Sequence, residues 1–503
     1  MRQLSGSDTL MLYSDTPHAQ NIIAPFGIYD PSTTPNGRLT YDDILSFVRS
    51  RLDIAESFRE RIVMVPLGLD RPVWIRDPDF DLEYHVRHIA LPAPGNWDQL
   101  CTQIARVGAR PLDMTRPPWE LYVIEGLDAV DDVPPGSFAV MLKMHHAAVD
   151  GVAGAEIVTA LHDVSPEPEV RPAPPPWEPE QPPSNVELLA RAGIHAVTRP
   201  LAFAGTVVPA LRPRRGLFDR SQMSTMGFRQ ATRFNRPVSA HRSFGVTNLK
   251  LPDVKAVKNA FPGAKVNDVA IAVVGGALRA YLVDKGELPE TSLEALMPIS
   301  VRATQTQRAL QPGEVEASAG GNRFRMSVVT LGTDLTDPAA RMAAIMASTA
   351  AAKEQGAVDA PSLMDAAELL PGALMGSAQR AVVRAANRTD RTVGVHTIVT
   401  NVPGPQVPVF FDGARAVTMS GMAPVVDGMG LIHGIGSYGG IVPVCFTSDR
   451  EMLPDPRFYE RCIAEAFDEL AIAAGTRKAP RRTKPRSAAR TVRRSTTKGR
   501  ESA

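Results

Sequence analysis

Cysteine is scarce in this chain: Cys101, Cys445 and Cys462 are far apart and odd in number among 503 residues. That argues against a disulfide framework and fits a reducing compartment. With no C-x-x-C spacing, a cysteine-based zinc site is not expected either. A basic start followed by an apolar core is also missing from MRQLSGSDTLMLYSD, so no secretory signal is expected. Long apolar runs are lacking. The longest charge-free stretch, Gly428 to Ser448, holds six glycines and Pro443. It reads as two strands, Leu431–Tyr438 and Ile441–Thr447, joined at Gly439-Gly440, and not as a membrane span of about 20 apolar residues. No transmembrane helix is expected. The twelve uncharged residues between Arg199 and Arg212 are too few to cross a bilayer. They read as a buried helix or as a segment lying on lipid. No Gly-rich loop ends in Lys-Ser/Thr, so phosphate cradling is unsupported. The nearest approach to a nucleophile elbow, Ile435-Gly436-Ser437-Tyr438-Gly439, has Ile435 where the first glycine belongs.

What is present is ordinary globular material, 44% hydrophobic and 22% charged, in a chain long enough for two domains. The strongest boundary is Ser165–Ser184, where nine of twenty residues are proline. Proline fixes φ and removes a backbone donor, so this segment predicts an extended, semi-rigid spacer. It divides an N-terminal domain, 1–164, from a C-terminal domain, 185–476. The net charge of +1 hides an asymmetry: residues 477–503 carry 11 Lys/Arg and one acid, leaving 44 basic against 53 acidic residues elsewhere. The tail lacks apolar periodicity and predicts a disordered, basic extension. Its charge suits an anionic lipid surface, at on the order of 1 kcal/mol per basic side chain. It has no aromatics for base stacking, so no nucleic-acid partner is expected.

Helices and strands mix without a clean βαβ rhythm, which predicts a mixed α/β (α+β) fold. Thr40 caps a helix through Asp43 that carries Ile44, Phe47 and Val48 on one face. Asn96–Ala109, Ala155–His162, Asn267–Leu282 and Met364–Ala386 read as further helix. So does Pro338–Gln355, with Asp337 as cap and Pro338 at the first position. Trp119–Gly126, Leu293–Arg302 (at its end) and Val393–Asn401 read as strands, the last entering the turn Val402–Pro405. In Ser137–His145, Phe138, Val140, Leu142 and Met144 point one way, and Met141, Lys143 and His145 the other.

That strand ends in His145-His146-Ala-Ala-Val-Asp150-Gly151. Histidine accepts a proton near neutral pH. Two of them at the end of an apolar strand are costly unless used, and a glycine beside the acid permits a sharp turn or a close approach. The residues predict a polar site at a strand end. A metal set of His145, His146 and Asp150 remains open by ligand type, without a third imidazole or a cysteine to support it. Structural histidines remain open as well.

The ordered motifs resemble the bacterial wax ester synthase/diacylglycerol acyltransferase family, within the superfamily of chloramphenicol acetyltransferases, carnitine acyltransferases and peptide-synthetase condensation domains. They are LSGSDTLMLYSDTP, Pro111-Leu-Asp113…Pro117-Pro118-Trp119-Glu120, MHHAAVDG, VNDVAIAVVGGALR, MPISVR, GGNRF and TNVPGP. Pro118 departs from the family pattern, where leucine is common. The resemblance implies two pseudo-symmetric chloramphenicol acetyltransferase-like domains with a tunnel at their interface. It implies acyl-CoA-dependent esterification of diacylglycerol to triacylglycerol, with long-chain alcohols a second acceptor giving wax esters. No cofactor or metal is implied; acyl-CoA is a substrate. His146 would be the general base, Asp150 a structural acid partnered by Arg302, Gly151 a backbone-geometry residue and His145 a supporting one. Asn267 would be a polar site residue or a helix cap. The expected setting is cytoplasmic, peripheral to the inner membrane or lipid droplets. A condensation-type acyltransferase using carrier-bound acyl groups and a non-catalytic lipid-binding scaffold are the alternatives.

Overall fold

The computed structural model describes residues 1–148, 160–167, 177–196, 228–300, 324–355, 381, 391–393 and 395–478. Most of Ala155–His162, nearly all of Met364–Ala386, the stretch 199–212 and the tail beyond Lys478 lie outside the described residues.

Two six-stranded sheets organise the chain. The first runs in the order Phe410–Phe411, Ala414–Met422, Ile22–Asp30, Phe138–His145, Trp119–Glu125, Val86–Ala90. Its pairs are antiparallel except the last, which is parallel. The second runs Phe324–Thr330, Glu294–Ser300, Thr397–Pro403, Leu431–Ser437, Ile441–Asp449, Arg242–Lys250 and mixes parallel and antiparallel pairs. Leu431–Ser437 and Ile441–Asp449 pair as expected, with Gly439 and Gly440 both at positive φ in the turn. Two strands of the first sheet come from residues 410–422, so the C-terminal half completes the sheet that begins at Ile22.

Phe138–His145 is buried at every position. Phe138, Val140, Leu142 and Met144 pack with Ile44, Phe47 and Val48 on one side of the sheet. Ala139 and Met141 pack on the other with Leu100 and Ile104 of the helix Trp97–Ala109. Local capping explains where several helices start. Thr40 Oγ1 accepts the Asp43 N–H at 3.2 Å while Asp43 Oδ2 accepts the Thr40 N–H at 2.8 Å. Asn96 and Gln99 exchange bonds of 3.0 and 2.9 Å in the same way. Asp337 Oδ2 accepts the Ala340 N–H at 2.9 Å, ahead of Pro338–Gln355. Each such cap contributes about 1 kcal/mol.

Val266–Asp284 is long and apolar enough to cross a membrane, but it is largely buried. It lies against Pro338–Gln355 and Pro456–Ala473 as the central helix of the second lobe. Gly276 permits this, because a Cβ there would stand 2.8 Å from the Ala466 Cβ and 2.7 Å from the Arg341 guanidinium.

The expected strand Val393–Asn401 is in fact two. Arg391–Val393 pairs with Phe228–Gln230, and a separate strand, Thr397–Pro403, continues two residues beyond the expected end. His396 explains the break. Its Nδ1 accepts the Glu294 N–H at 3.0 Å and its Nε2 donates to the Gln230 carbonyl at 3.1 Å, so the ring links two sheets where a ladder would otherwise continue.

The Pro-rich segment, where described, docks on the first lobe. Trp177 stacks under the Arg59 guanidinium at 4.2 Å and donates to the Asp77 carbonyl at 3.0 Å. Residues 185–196 then form a helix whose Leu188 and Ala192 pack on Val73 and Ile75 of the small sheet formed by Arg2–Gln3, Val73–Arg76 and Glu60–Val63, and on Val65 just beyond it. The two lobes share an apolar seam, in which Phe244, Val246 and Cys445 join the cluster around Leu100, Ile104 and Met422. All three cysteines are buried free thiols.

Candidate functional site

The histidine pair stands where the central strand of the first sheet gives way to a short turn, His146–Ala148. The two rings differ sharply. His145 is fully buried, and both its nitrogens are engaged. Nδ1 lies 3.1 Å from the Ala147 N–H, which can only donate, so Nδ1 carries no proton. The proton of the neutral ring is then on Nε2, which donates to Asp15 Oδ2 at 2.9 Å. With both nitrogens occupied, this ring has no lone pair left for a substrate or a metal.

His146 is anchored through its backbone: its N–H donates to the Asn21 carbonyl at 2.7 Å. Its ring Nδ1 is buried without a partner outside the residue. Burial holds its pKa below the ordinary histidine value; its own backbone carbonyl works against that shift and neighbouring His145 with it. The result is an imidazole kept neutral at physiological pH.

Asp15 and Asn21 were not singled out from the sequence. Asp15 Oδ1 accepts the Asn21 N–H at 2.9 Å and the Asn21 Nδ2 at 3.0 Å. Asn21 Nδ2 also reaches the Met11 carbonyl at 2.8 Å and Ser14 Oγ at 2.9 Å. The available signal was Asp15 within LYSDTP and a polar Asn21 directly before an apolar strand. A second unforeseen group lies two residues before His145. Lys143 is fully buried and donates to Glu120 Oε2 at 3.2 Å, the oxygen that also accepts the Tyr122 hydroxyl at 2.9 Å. Burial pulls the lysine pKa down and the Glu120 charge opposes this.

Asn267 is not a helix cap. Lys265 occupies that position, with Asp268 Oδ2 accepting its N–H at 2.8 Å, and Asn267 is the second helical residue. Its Oδ1 accepts Asn401 Nδ2 at 3.2 Å and its Nδ2 lies 3.1 Å from Met297 Sδ. The structure thus brings the VND and TNVPGP motifs together; among the described residues it does not join Asn267 to His146. Asp150, Gly151 and Arg302 lie outside the described residues. Trp119 is core: its indole donates to the Phe58 carbonyl at 2.9 Å and stacks on His85. Ser437 fastens a turn, its Oγ accepting from Gly404 at 3.3 Å and Gln406 at 3.1 Å. A crevice opens at the seam of the lobes, lined by Pro17, Ile22, Gly108, Met422, Val425 and Arg242. Ile22 lies directly opposite His145 in the sheet.

Comparison with known proteins places the chain in a family. Residues 4–270 match the wax ester synthase/diacylglycerol acyltransferase catalytic domain, and residues 320–471 match the C-terminal domain of the same family. A candidate diacylglycerol O-acyltransferase of Mycobacterium tuberculosis (strain H37Rv) is 34% identical over 481 residues, covering 93% of this chain and 90% of that protein. A second from that strain is 30% identical over 496 residues, covering 96% and 99%. The wax ester synthase/diacylglycerol acyltransferase of Marinobacter aquaeolei VT8 shares the fold, with a TM-score of 0.66 at 22% identity over 94% of this chain and 100% of that one. The trichothecene 15-O-acetyltransferase of Fusarium sporotrichioides shares it more distantly, with a TM-score of 0.56 at 10% identity over 93% and 94%. The chain is an acyltransferase of mixed α/β, two-lobed architecture, and it belongs to the wax ester synthase/diacylglycerol acyltransferase family.

Proposed function

We propose that this protein transfers a fatty acyl group from acyl-CoA to diacylglycerol, giving triacylglycerol, with long-chain alcohols as a second acceptor, and that His146 is its general base. The observation that carries the assignment is the contrast within the histidine pair. His145 has both nitrogens engaged, whereas His146 is half-buried and neutral, with its ring Nδ1 unpartnered outside the residue. His146 also stands at the first position of H-x-x-x-D-G. The names of the relatives support the substrate classes.

In this reading the imidazole removes the proton of the acceptor hydroxyl. The oxygen attacks the thioester carbonyl, and the tetrahedral intermediate collapses with loss of CoA thiolate. The imidazolium returns its proton to the departing sulfur, so one residue acts as base and acid. No acyl-enzyme forms, consistent with Ser437 being tied into a turn. No metal or cofactor takes part. By resemblance to the family, Asp150 would be a structural acid with Arg302 as its partner and Gly151 a backbone-geometry residue. Asn267, joined to Asn401, contributes polar groups from the second lobe. The crevice beside Ile22 leads substrate toward the histidine pair.

The acceptor is a lipid, so the enzyme works at the cytoplasmic face of the inner membrane or on a droplet surface. Met64, Leu67 and Leu69 on one loop, and Val186, Leu189 and Ile194 on the adjoining helix, are exposed apolar side chains of a single lobe. They support peripheral attachment, as does the basic tail.

The test offers labelled palmitoyl-CoA with diacylglycerol beside hexadecanol. Wild-type enzyme forms labelled triacylglycerol, and folded His146→Ala loses at least a hundredfold in kcat. Near-normal turnover of that variant removes His146 as the base. Absence of any ester from the wild type leaves the lipid-binding scaffold reading.

A further inference from the structure

Four residues around the histidine pair close a ring. His145 donates through Nε2 to Asp15, Asp15 accepts twice from Asn21, the Asn21 carbonyl accepts the His146 N–H, and His146 is bonded to His145. Every link is a directional hydrogen bond of 2.7–3.0 Å or a peptide bond. Three separate segments meet in it: the end of the central strand, the turn after the helix Gly6–Tyr13, and the residue leading into Ile22–Asp30.

We infer that Asp15 and Asn21 are positioning residues for acyl transfer, acting on His146 through the tautomer of His145 and through the backbone of the turn. This rests on His146 being the base. The chemistry requires it to be held, because a base displaced by about 1 Å loses about a hundredfold in rate. Among the described residues the His146 side chain has no hydrogen-bond partner to hold it, so its placement there comes from its backbone. Two bonds fix that backbone on either side: Asn21 takes the N–H of His146, and His145 Nδ1 takes the N–H of Ala147. The second bond exists only while His145 is protonated on Nε2. Asp15 enforces that choice, since a carboxylate accepts and cannot donate. Asp15 also orders Asn21, so one carboxylate governs both restraints.

Asparagine at position 15 separates this role from bulk packing, since it has nearly the same shape. Its one oxygen cannot serve both His145 and Asn21. If the oxygen faces Asn21, the amide NH₂ meets His145 Nε2. The ring then moves its proton to Nδ1, which opposes the Ala147 N–H. If the oxygen faces His145, two donor groups of Asn21 meet an NH₂. Either way one restraint fails.

The experiment combines kinetics with ¹⁵N NMR of histidine-labelled full-length protein. In wild type the His145 resonances, assigned by their loss in His145→Gln, should show the Nε2–H form. Folded Asp15→Asn should lose about a hundredfold in kcat with KM for acyl-CoA changed less than about threefold. Its His145 signals should shift toward the Nδ1–H form, and Asp15→Glu should recover part of kcat. An Nδ1–H tautomer in the wild type overturns the inference even if neither Asp15 variant folds. So does a folded Asp15→Asn enzyme within threefold of wild-type kcat. Failure of the base assignment is read separately, from turnover by His146→Ala.

Discussion

The buried pair Lys143–Glu120 sits two residues before the histidines, and replacing Glu120 by Gln should expose its energetics. Lys143 is fully inaccessible, and Glu120 is the carboxylate to which it donates. The substitution preserves shape but leaves an ammonium without its counter-charge, at a cost of about 3–5 kcal/mol. An upper bound follows independently. The ammonium can shed its proton instead, and deprotonating an ordinary lysine costs about 4.6 kcal/mol at pH 7 and about 1.9 kcal/mol at pH 9. The sign is set by linkage. With Lys143 neutral in the folded variant and protonated in the unfolded chain, the unfolded state binds one more proton, so stability rises with pH by about 1.4 kcal/mol per unit. Lys143→Met should behave differently. Glu120 keeps the Tyr122 hydroxyl at 2.9 Å and Arg87 at 3.3 Å, so the loss should be about 1–3 kcal/mol and flat between pH 7 and 9. Urea unfolding followed by tryptophan fluorescence is the assay. All four tryptophans, Trp74, Trp97, Trp119 and Trp177, belong to or dock on the first lobe. A loss below 1 kcal/mol for Glu120→Gln at pH 7, or an equal loss at pH 9, refutes the reasoning.

Acid should loosen the second lobe through His433. Burial presses its pKa down to about 3, and Tyr459 and Thr397 engage its ring at 2.7 and 3.2 Å. A depressed folded pKa means the unfolded chain takes up the proton first, so stability is lost as pH falls below about 6.5, reaching about 2.7 kcal/mol at pH 4.5. Urea midpoints by circular dichroism should fall more steeply with acid in wild type than in His433→Gln; parallel slopes refute it. Lipid attachment should divide into two components. Deleting 477–503 should reduce flotation with anionic vesicles at low salt only. Leu67→Asp, at a side chain 87% exposed, should reduce flotation with neutral diacylglycerol-containing vesicles at any salt. Unchanged flotation of both variants ends the peripheral-attachment reading.

What was legible in the sequence was local. The Thr40–Asp43 cap, the helix start at Asn96 and the Asp337-Pro338 start each involve residues within one turn, and alternation along Ser137–His145 reports its own two faces. The rest depended on contacts that sequence spacing does not encode. His145 could be assigned only an unspecified supporting role because its partner Asp15 lies 130 residues away. Glu120 and Lys143 become a pair only once Trp119–Glu125 and Phe138–His145 are in register. Asn267 read as a polar site residue or a helix cap because asparagine caps well, yet the helix is capped two residues earlier, where Asp268 accepts the Lys265 N–H. His396 split a β-prone stretch by bonding outside its own strand.

The same non-locality determines how the site is held. Ile22–Asp30 is flanked by Phe138–His145 on one side and Ala414–Met422 on the other. Without residues 414–422 it would be an edge with open backbone donors and acceptors, and Ala24, Phe26 and Ile28, all buried, would lose Met422 from their cluster. Asn21, which holds His146, immediately precedes that strand. The restraint on the histidine pair therefore runs through a sheet that only the C-terminal half of the chain can finish. The Pro-rich segment marks a change of composition, but the structural unit around His145 and His146 draws on both sides of it.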